Sequence, residues 1–393
     1  MTTISDAQQF LFNTYNRFPI TLVKGRGCSV WDEQGNEYLD FVAGIAVCNL
    51  GHCHPAIVEA VQKQVNTLIH VSNLYHSKPQ VDCARLLTEV CFADKVFFCN
   101  SGAEANEGAM KLTRKYMRDR CGNDRFEVIT ATNSFHGRTM MTLTATGQDK
   151  VKKGFEPLVP GFRHVPFNNM EALTEAITDR TAAVLLEPIQ GEGGIVCPDL
   201  GYLSAVRNVC DERGLLLIFD EIQTGMGRTG TLFAYQHYGV LPDIMTLAKG
   251  LAGGLPIGAV LTRNEIAASL GPGTHATTFG GNPVVTAAAL AALTTINDPE
   301  FLGHCRAMGA ALMEGLQQLK TTYPVIREIR GKGLLVGMDL SIPGAEVVRQ
   351  CMEKGVLVNC VQDTVLRFIP PLVVTRREID TLISTLDAVL AKI

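Results

Sequence analysis

An aspartate and a lysine stand at the ends of two predicted strands. Residues 215–219 form a short apolar run that ends in Asp220, and the apolar run 244–247 leads to Lys249. Such runs, bounded by polar residues, are typical of buried parallel strands. Because open α/β sheets bind ligands at the carboxyl ends of their strands, both side chains can face one ligand. A buried lysine amine has a lowered pKa and is nucleophilic.

This pair of groups suits one class of cofactor. Pyridoxal phosphate (PLP) carries an aldehyde that captures a lysine amine and a ring nitrogen that pairs with an acid. A single aspartate or lysine is a weak signal, because most such residues only begin a loop or lie on the surface. Lys249, however, has no charged residue for at least ten positions on its C-terminal side. That setting favours a buried, reactive lysine.

The same stretch also matches the G-x-G-x-x-G pattern of dinucleotide-binding proteins, at Gly225, Gly227 and Gly230. Four residues separate the predicted strand from these glycines, so the tight strand-to-loop turn is missing. The following segment is short and closed by Pro242, which makes a poor crossover helix. No strand ending in an acid follows at the required distance of about 20 residues. We interpret the match as a weak one.

Composition excludes several functional classes. The 393 residues suffice for one large and one smaller domain, and the net charge of −4 is mixed along the chain, unlike a nucleic-acid-binding surface. No apolar run approaches the roughly 18 residues of a membrane span, and the N-terminus lacks the features of a secretion signal. The twelve cysteines form no C-x-x-C pair, and the histidines show no metal-ligand spacing. We therefore expect a soluble cytosolic protein with reduced thiols and no metal.

Another motif, NSGAEANE, follows the predicted strand 96–99 and opens a long helix. Ser101 is a good N-cap, and Glu104 three residues later completes a capping box. The exposed backbone N–H groups of Gly102 and Ala103 can bind a phosphate with help from the helix dipole. A well-capped helix without a ligand is the alternative interpretation.

Two further strand ends carry polar residues. FHGRT follows the predicted strand 127–130, so Phe135 could stack on a planar ring while Arg138 binds a carboxylate. A core phenylalanine and a surface arginine are equally compatible with that sequence. EPIQGEGG follows the predicted strand 182–186 and again places polar groups at a strand end.

The predicted elements follow an α/β order first and an α+β order later. Residues 1–20 are expected to be irregular, and 30–41 to form a β-hairpin around Gly35. Helices are predicted over 56–69 and 81–91, followed by the strands and motifs above. The C-terminal part is predicted as helices 284–297, 300–320, 344–354 and 376–391, with strands over 325–340, around Gly331, and over 356–369.

Six motifs in fixed order resemble the class III pyridoxal-phosphate aminotransferases: SGAEANE, FHGRT, EPIQGEGG, DEIQTGMGRTG, LAKGLAGGLPIGA and TTFGGNP. The resemblance covers nearly the whole chain and is greatest to the acetylornithine branch. It implies the PLP-dependent transferase fold of type I, an α/β fold. A large domain, expected over 51–285, holds a mostly parallel seven-stranded sheet. The small α+β domain comes from both chain ends, 1–50 and 286–393, and the implied working unit is a homodimer.

The resemblance also implies cofactor roles. Lys249 would be the Schiff-base lysine and, once freed by substrate, the base that moves the proton. Asp220 would keep the pyridinium nitrogen protonated, so that the ring accepts electrons. The other implied cofactor-binding residues are Phe135 on the ring face, Gln223 at the ring oxygen with its neighbours Glu221 and Ile222, Ser101, Gly102 and Ala103 at the phosphate, and Thr278 at the phosphate of the partner subunit's cofactor.

Substrate roles follow from the same resemblance. Arg138 would bind the substrate α-carboxylate. Glu192 would pair with Arg367 and release it when a dicarboxylate binds, so that one pocket accepts both an amine donor and 2-oxoglutarate. Thr277 and Tyr15 would line the acyl-amino end.

The implied reaction is transfer of the δ-amino group of N2-acetylornithine to 2-oxoglutarate. Ornithine, succinylornithine, 4-aminobutyrate or acetyl-lysine transamination, or an aminomutase reaction, are the alternatives, and Arg138 favours donors that carry an α-carboxylate. Ala276 and His76 stand where the family usually has glycine and tyrosine, which leaves the acyl group open.

Overall fold

The computed structural model describes residues 3–122 and 125–393, which form three β-sheets and the helices that cover them. The strands are β1 (Leu22–Arg26), β2 (Ser29–Asp32), β3 (Glu37–Asp40), β4 (Lys95–Cys99), β5 (Glu127–Ala131), β6 (Phe162–Val165), β7 (Thr181–Leu186), β8 (Leu216–Asp220), β9 (Ile244–Leu247), β10 (Gly258–Thr262), β11 (Ile326–Lys332), β12 (Leu335–Leu340), β13 (Val356–Leu357), β14 (Asn359–Val361) and β15 (Val365–Phe368).

Most helices lie between the strands in sequence. The α-helices are α1 (Thr3–Phe10), α2 (Ala43–Ala46), α3 (Pro55–Val65), α4 (Lys78–Glu89), α5 (Gly102–Cys121), α6 (Met140–Ala145), α7 (Met170–Ala176), α8 (Tyr202–Arg213), α9 (Asn264–Ala267), α10 (Pro283–Ile296), α11 (Pro299–Thr322), α12 (Ala345–Glu353) and α13 (Arg376–Leu390). Short 3₁₀ turns occupy Ser72–Leu74, Asp149–Val151, Ala234–His237 and Lys249–Ala252. No helix in these ranges is long and apolar enough to cross a membrane.

The central sheet has seven strands in the order β4-β10-β9-β8-β7-β5-β6. All neighbouring pairs from β9 to β6 are parallel, and only β10 runs antiparallel to both of its neighbours. Every residue of β7, β8, β9 and β10 is buried, which explains why these strands read as continuous apolar runs. The predicted mostly parallel seven-stranded sheet is confirmed.

Two four-stranded sheets complete the molecule, with the orders β1-β2-β3-β13 and β11-β12-β15-β14. In the first, β13 from the C-terminal part pairs in parallel with β3, Val356 opposite Leu39 and Leu357 opposite Asp40. Both chain ends therefore contribute to one small sheet, as predicted. The domain boundaries at 50 and 285 stay a prediction.

Two details differ from the sequence predictions. Residues 3–10 form helix α1, where an irregular segment was predicted. None of its residues is buried, so its sequence lacks the regular apolar spacing by which packed helices are predicted. Strand β11 runs through Gly331 to Lys332, and the turn comes only after it. A Cβ at Gly331 would lie 2.2 Å from the carbonyl oxygen of Leu335, so this glycine allows a close strand approach and does not form the turn.

Candidate active site

A cavity of about 440 Å³ opens where the central strands end. Segments that follow β4, β5, β7, β8 and β9 all contribute to its wall, which is the edge at which such sheets bind ligands. A larger cleft of about 880 Å³ at the amino ends of β8 and β9 contains none of the predicted site residues. The cavity is lined by Val47, Asn100, Ser101, Gly102, Ala103, Phe135, His136, Gly137, Arg138, Glu187, Glu192, Asp220, Ile222, Gln223, Ala248, Lys249 and 254–257.

Asp220 is the last residue of β8 and is only 3% exposed. Its Oδ2 accepts hydrogen bonds from Asn106 Nδ2 at 2.7 Å and lies 2.8 Å from His136 Nδ1. Its Oδ1 accepts from the backbone N–H of Ile222 at 3.1 Å. Thr246, opposite Asp220 in the sheet, in turn donates to Asn106 Oδ1 at 2.8 Å. The carboxylate is therefore fixed in direction while it faces the cavity.

Lys249 lies two residues after the end of β9 and lines the same cavity. Burial lowers the pKa of its amine and the Arg367 guanidinium lowers it further, whereas Glu192, Asp220 and Glu187 oppose the shift. Its backbone is left-handed, with a φ of +43°, a conformation that costs a non-glycine residue about 1 kcal/mol or more. The amine is thus held where it is readily deprotonated and nucleophilic.

The first turn of α5 forms another wall. Ser101 Oγ caps the helix by accepting from Glu104 N at 3.1 Å. Glu104 Oε2 reaches back to the backbone N–H of Asn100 at 2.7 Å, one residue before the cap, so the predicted capping box is shifted by one residue. The next residues, Gly102 and Ala103, face the cavity at the positive end of the helix dipole.

Gly102 allows the side chain of Ile222 to pack closely against the start of α5. A Cβ at this position would lie 2.8 Å from Ile222 Cδ1 and 3.0 Å from Ile222 Cγ2. We expect Gly102→Ala to displace Ile222 and to weaken cofactor binding roughly tenfold, since overpacking costs about 1–3 kcal/mol. A titration of apoenzyme with PLP measures this. Ser101→Ala removes the cap without adding atoms, so affinity equal in both variants would contradict the steric explanation.

Phe135 and Arg138 lie on the loop after β5. Both side chains line the cavity, Phe135 partly buried and Arg138 exposed at the mouth. The guanidinium lies 5.5 Å from the Phe135 ring centroid, within the range of a cation–π contact. The geometry thus favours the predicted cavity residues over a core phenylalanine and a surface arginine.

Glu192, another wall residue, forms an ion pair with Arg367. Arg367 Nη1 donates to Glu192 Oε1 at 2.5 Å and to Gln223 Oε1 at 3.3 Å. Arg367 is 1% exposed, whereas Glu192 is 27% exposed. Burial raises the pKa of Glu192, but the charges of Arg367 and Lys249 outweigh it and bring the pKa below the usual value. The carboxylate is therefore ionised near neutral pH.

Five predicted site residues are not among those that line the cavity: Arg367, which contacts the wall residues Glu192 and Gln223, and Glu221, Thr277, Thr278 and Tyr15. Glu221 is buried, and its carboxylate accepts from the backbone N–H groups of Ala234 and Tyr235 at 2.8 and 2.7 Å. This placement gives Glu221 a structural contact and does not favour the predicted cofactor role. Thr277 accepts a hydrogen bond from Asn100, a wall residue, at 3.0 Å, while Thr278 and Tyr15 are exposed.

The sequence interpretation missed two cavity residues and one residue that contacts the cavity residue Asp220. His136 and Asn106 both contact Asp220, and Glu187 follows β7 as a buried wall residue. His136 stands beside Phe135 in FHGRT, and Glu187 is the first polar residue after a predicted strand. Those positions were the available signals. Asn106 lies one helical turn inside α5, and its motif indicates a helix cap and a phosphate-binding helix start but no contact with Asp220.

The G-x-G-x-x-G segment encloses a buried arginine and is followed only by a 3₁₀ turn. Arg228 is fully buried and donates to the carbonyl oxygens of Leu334 and Pro370 at 3.1 and 2.5 Å, and to Asn49 Oδ1 at 2.7 Å. Burial lowers the pKa of this guanidinium to about 10. The segment thus links the central sheet to the C-terminal strands. The sequence pattern did not predict this structural role.

Residues 11–390 match the family described as Aminotransferase class-III. The chain belongs to this family. An acetylornithine aminotransferase from Caldanaerobacter subterraneus subsp. tengcongensis is 56% identical over 99% of both chains. The structure of an N-acetylornithine aminotransferase from Stenotrophomonas maltophilia K279a is 38% identical, with a TM-score of 0.86 over 99% of this chain and 98% of that one.

A structure of ornithine aminotransferase from Toxoplasma gondii is 37% identical, with a TM-score of 0.95 over 99% of this chain and 94% of that one. That structure has partial occupancy of PLP at its active site. The predicted family, fold class and activity class are confirmed, and this class III aminotransferase is a PLP-dependent transaminase.

The side chains present fit this cofactor. Gly102 and Ala103 present the N-terminus of α5 to the cavity, which suits a phosphate group. The buried Asp220 suits a protonated ring nitrogen, and the deprotonation of Lys249 that burial favours suits an aldehyde. The class III aminotransferase thus carries groups for each end of the cofactor in one cavity.

Proposed function

We propose that this enzyme transfers the δ-amino group of N2-acetyl-L-ornithine to 2-oxoglutarate. The products are N-acetyl-L-glutamate 5-semialdehyde and L-glutamate, in a step of arginine biosynthesis. The observation that carries the proposal is the 56% identity, over 99% of both chains, to a relative named acetylornithine aminotransferase. Arg138 and Glu192 line the same cavity, and Glu192 pairs with Arg367. They support the proposal, because the two guanidinium groups can bind carboxylates at two places.

Lys249 and Asp220 would act at opposite sides of the reacting group. When bound, PLP supplies an aldehyde that takes up the amino group and a ring that accepts the electron pair left on the donor carbon. Asp220 would hold a proton on the ring nitrogen, with its direction set by His136 and Asn106. Lys249 Nζ would remove the proton from the donor's δ-carbon and return a proton during the second half-reaction.

The remaining wall residues would bind and orient. Phe135 would cover one ring face, and Gln223 and Ile222 would border the ring. The N–H groups of Gly102 and Ala103, with Ser101 beside them, would hold the phosphate at the start of α5. Arg138 at the cavity mouth would bind the α-carboxylate of the donor.

Glu192 would act as the gate that separates the two half-reactions. While Glu192 pairs with Arg367, the guanidinium group of Arg367 is not free to bind substrate. A dicarboxylate would displace Glu192 from Arg367. We expect Glu192→Gln to lower kcat/KM for acetylornithine about tenfold, because a charge-assisted hydrogen bond to Arg367 becomes a neutral one. The value for 2-oxoglutarate should change less than about threefold.

Single-turnover rates of the two half-reactions measure this effect directly. Since Glu192 is ionised near neutral pH, its titration should not change the wild-type ratio of the two rates between pH 6.5 and 8.5. An unchanged wild-type ratio of half-reaction rates in Glu192→Gln would rule out the gate.

We also propose a homodimer with the sites at its interface. Leu74, Tyr75 and Phe279 are exposed, and Asn73 donates to the carbonyl oxygens of Thr277 and Gly280, which joins the two segments into one apolar surface. In such a dimer, Thr278 would reach the phosphate of the partner subunit's cofactor. Tyr15 and Thr277 would complete the acyl-amino end of a site.

Absorbance of the holoenzyme before and after acetylornithine, without a keto acid, tests the function. Loss of the cofactor band near neutral pH, reversed by 2-oxoglutarate, is the expected result. Ornithine is the second candidate donor, because the Toxoplasma gondii enzyme of closely similar structure is an ornithine aminotransferase. A band that ignores acetylornithine but responds to ornithine or 4-aminobutyrate would replace the proposed donor.

A further inference from the structure

Glu187 is a buried carboxyl group in the active-site wall that none of the roles above uses. It directly follows β7, is 6% exposed and lines the same cavity as Asp220 and Lys249. A buried acid in such a place has to be satisfied by hydrogen bonds, and its contacts reveal what it connects.

The two oxygens of Glu187 bind two different loops. Oε2 accepts from the backbone N–H of Phe135 at 3.2 Å, and Oε1 accepts from the backbone N–H of Gly191 at 3.1 Å. Phe135 belongs to the loop that also carries Arg138. Gly191 is the residue before Glu192. One carboxylate therefore bridges the loop that would bind the α-carboxylate and the loop that carries the gate.

The bridge has a neighbour that makes a similar connection without a charge. Gln190 Nε2 donates to the carbonyl oxygen of Thr132 at 2.9 Å, which joins the same two loops at a second point. Of Glu187 and Gln190, only Glu187 can change its charge. An ionised carboxylate accepts at both oxygens, whereas a protonated carboxyl presents an O–H and accepts less strongly.

We propose that Glu187 is a positioning residue, whose ionised carboxylate holds the Arg138 loop and the Glu192 loop at their working separation. The inference rests on the proposed substrate roles of Arg138 and Glu192. Protonation of Glu187 weakens the bridge and loosens both loops together. Neither loop then presents its substrate-binding side chain in the fixed position that binding requires.

The charge state of this carboxyl changes in the neutral range. Burial raises the pKa of Glu187 to about 7, the negative charge of Asp220 raises it too, and His136 and the two backbone N–H groups oppose the shift. Lys249 faces it across the cavity, and Arg138 and Glu192 line the same wall. The ionised, bridging form therefore dominates above pH 7 and is lost as the pH falls through 7.

In the wild type we expect kcat/KM for acetylornithine and for 2-oxoglutarate to fall as the pH drops below 7. We expect Glu187→Gln to lack this fall, which is the acid limb of the pH profile. The glutamine is neutral at every pH, so the variant should match the wild type near pH 6. It should fall roughly tenfold below the wild type near pH 8.5, where the wild type has its charge-assisted bonds. The loss should appear in KM for both substrates, because Lys249 and Asp220 are untouched.

Glu221→Gln is the matched control. Glu221 is also buried, also accepts from two backbone N–H groups, and has a pKa raised by burial to about 7, but it does not line the cavity. A role in stability alone would make the two variants alike. The same change of KM and of pH profile in Glu221→Gln would overturn the proposal, as would a Glu187→Gln profile that retains the limb at pH 7.

Amide hydrogen exchange on the wild-type holoenzyme gives a test that needs no variant to fold. Protection of the Phe135 and Gly191 amides, corrected for intrinsic exchange, should rise about tenfold from pH 6 to pH 8.5 as the bridge forms. Protection that stays constant would overturn the proposal. If Glu192 is not a gate, the ratio of half-reaction rates in Glu192→Gln will show this in a separate measurement. The hydrogen-exchange result on Glu187 does not depend on that outcome.

Discussion

Lys249→Ala is expected to lower kcat by at least about 10⁴-fold in both half-reactions. The variant lacks both the nucleophile and the amine that moves the proton, and general acid–base catalysis alone contributes about 10²–10⁴-fold. Cofactor should still bind, since Asp220 and the start of α5 are unchanged. Borohydride treatment followed by denaturation should leave cofactor attached to the wild type and not to the variant.

Lys152→Ala is the control for the Lys249 prediction. Lys152 is also buried, and burial lowers its pKa as well, but it contacts His164 outside the cavity at 3.2 Å. This variant should keep wild-type rates and the covalently retained cofactor. Lys249→Ala with more than about one hundredth of the wild-type kcat would mean that another amine performs the reaction.

Asp220→Asn is expected to lower kcat about 10³-fold and cofactor affinity about 10²-fold. The amide keeps the size of the side chain but removes the negative charge that favours a protonated ring nitrogen. Loss of one preorganised group at such a site costs about 10²–10³-fold in rate, and loss of one partner of a buried charge pair costs about 2–5 kcal/mol. PLP titration of the apoenzyme and single-turnover rates measure the two effects.

Asp243→Asn provides the comparison at the other end of the sheet. Asp243 precedes β9, accepts from Leu217 N at 2.7 Å and pairs with Arg207 at 2.8 Å. We expect it to lower thermal stability with little change in PLP affinity. If Asp220→Asn lost stability and kept PLP affinity, Asp220 would be a structural residue like Asp243.

The sequence alone predicts the cavity residues that lie at the end of a strand. Asp220 and Lys249 are predicted to face one ligand because each lies at the end of a predicted buried parallel strand, and the structure places β8 next to β9. The proposed phosphate-binding end of α5 can be predicted for a similar reason, since a helix N-terminus exposes N–H groups whatever surrounds it.

Contacts between loops could not be predicted in that way. The partners of Asp220 lie 84 and 114 residues away in sequence, at His136 and Asn106, and nothing local to either residue records the pairing. The Glu187 bridge has the same character, because it depends on how two loops meet above the sheet. Tyr15 and Thr278 were assigned through a dimer, so the geometry of one chain leaves their roles as proposals.

The parallel pairing of β13 with β3 has a consequence for how the chain folds during synthesis. Val356 pairs with Leu39, so about 300 residues must be translated between the two strands. At roughly 5–20 residues per second, β3 leaves the ribosome some 15–60 seconds before its partner exists. During that interval one edge of the N-terminal hairpin is open to other chains, which is a hazard for aggregation. A nascent chain that waits this long for its last neighbour is a natural client for a chaperone.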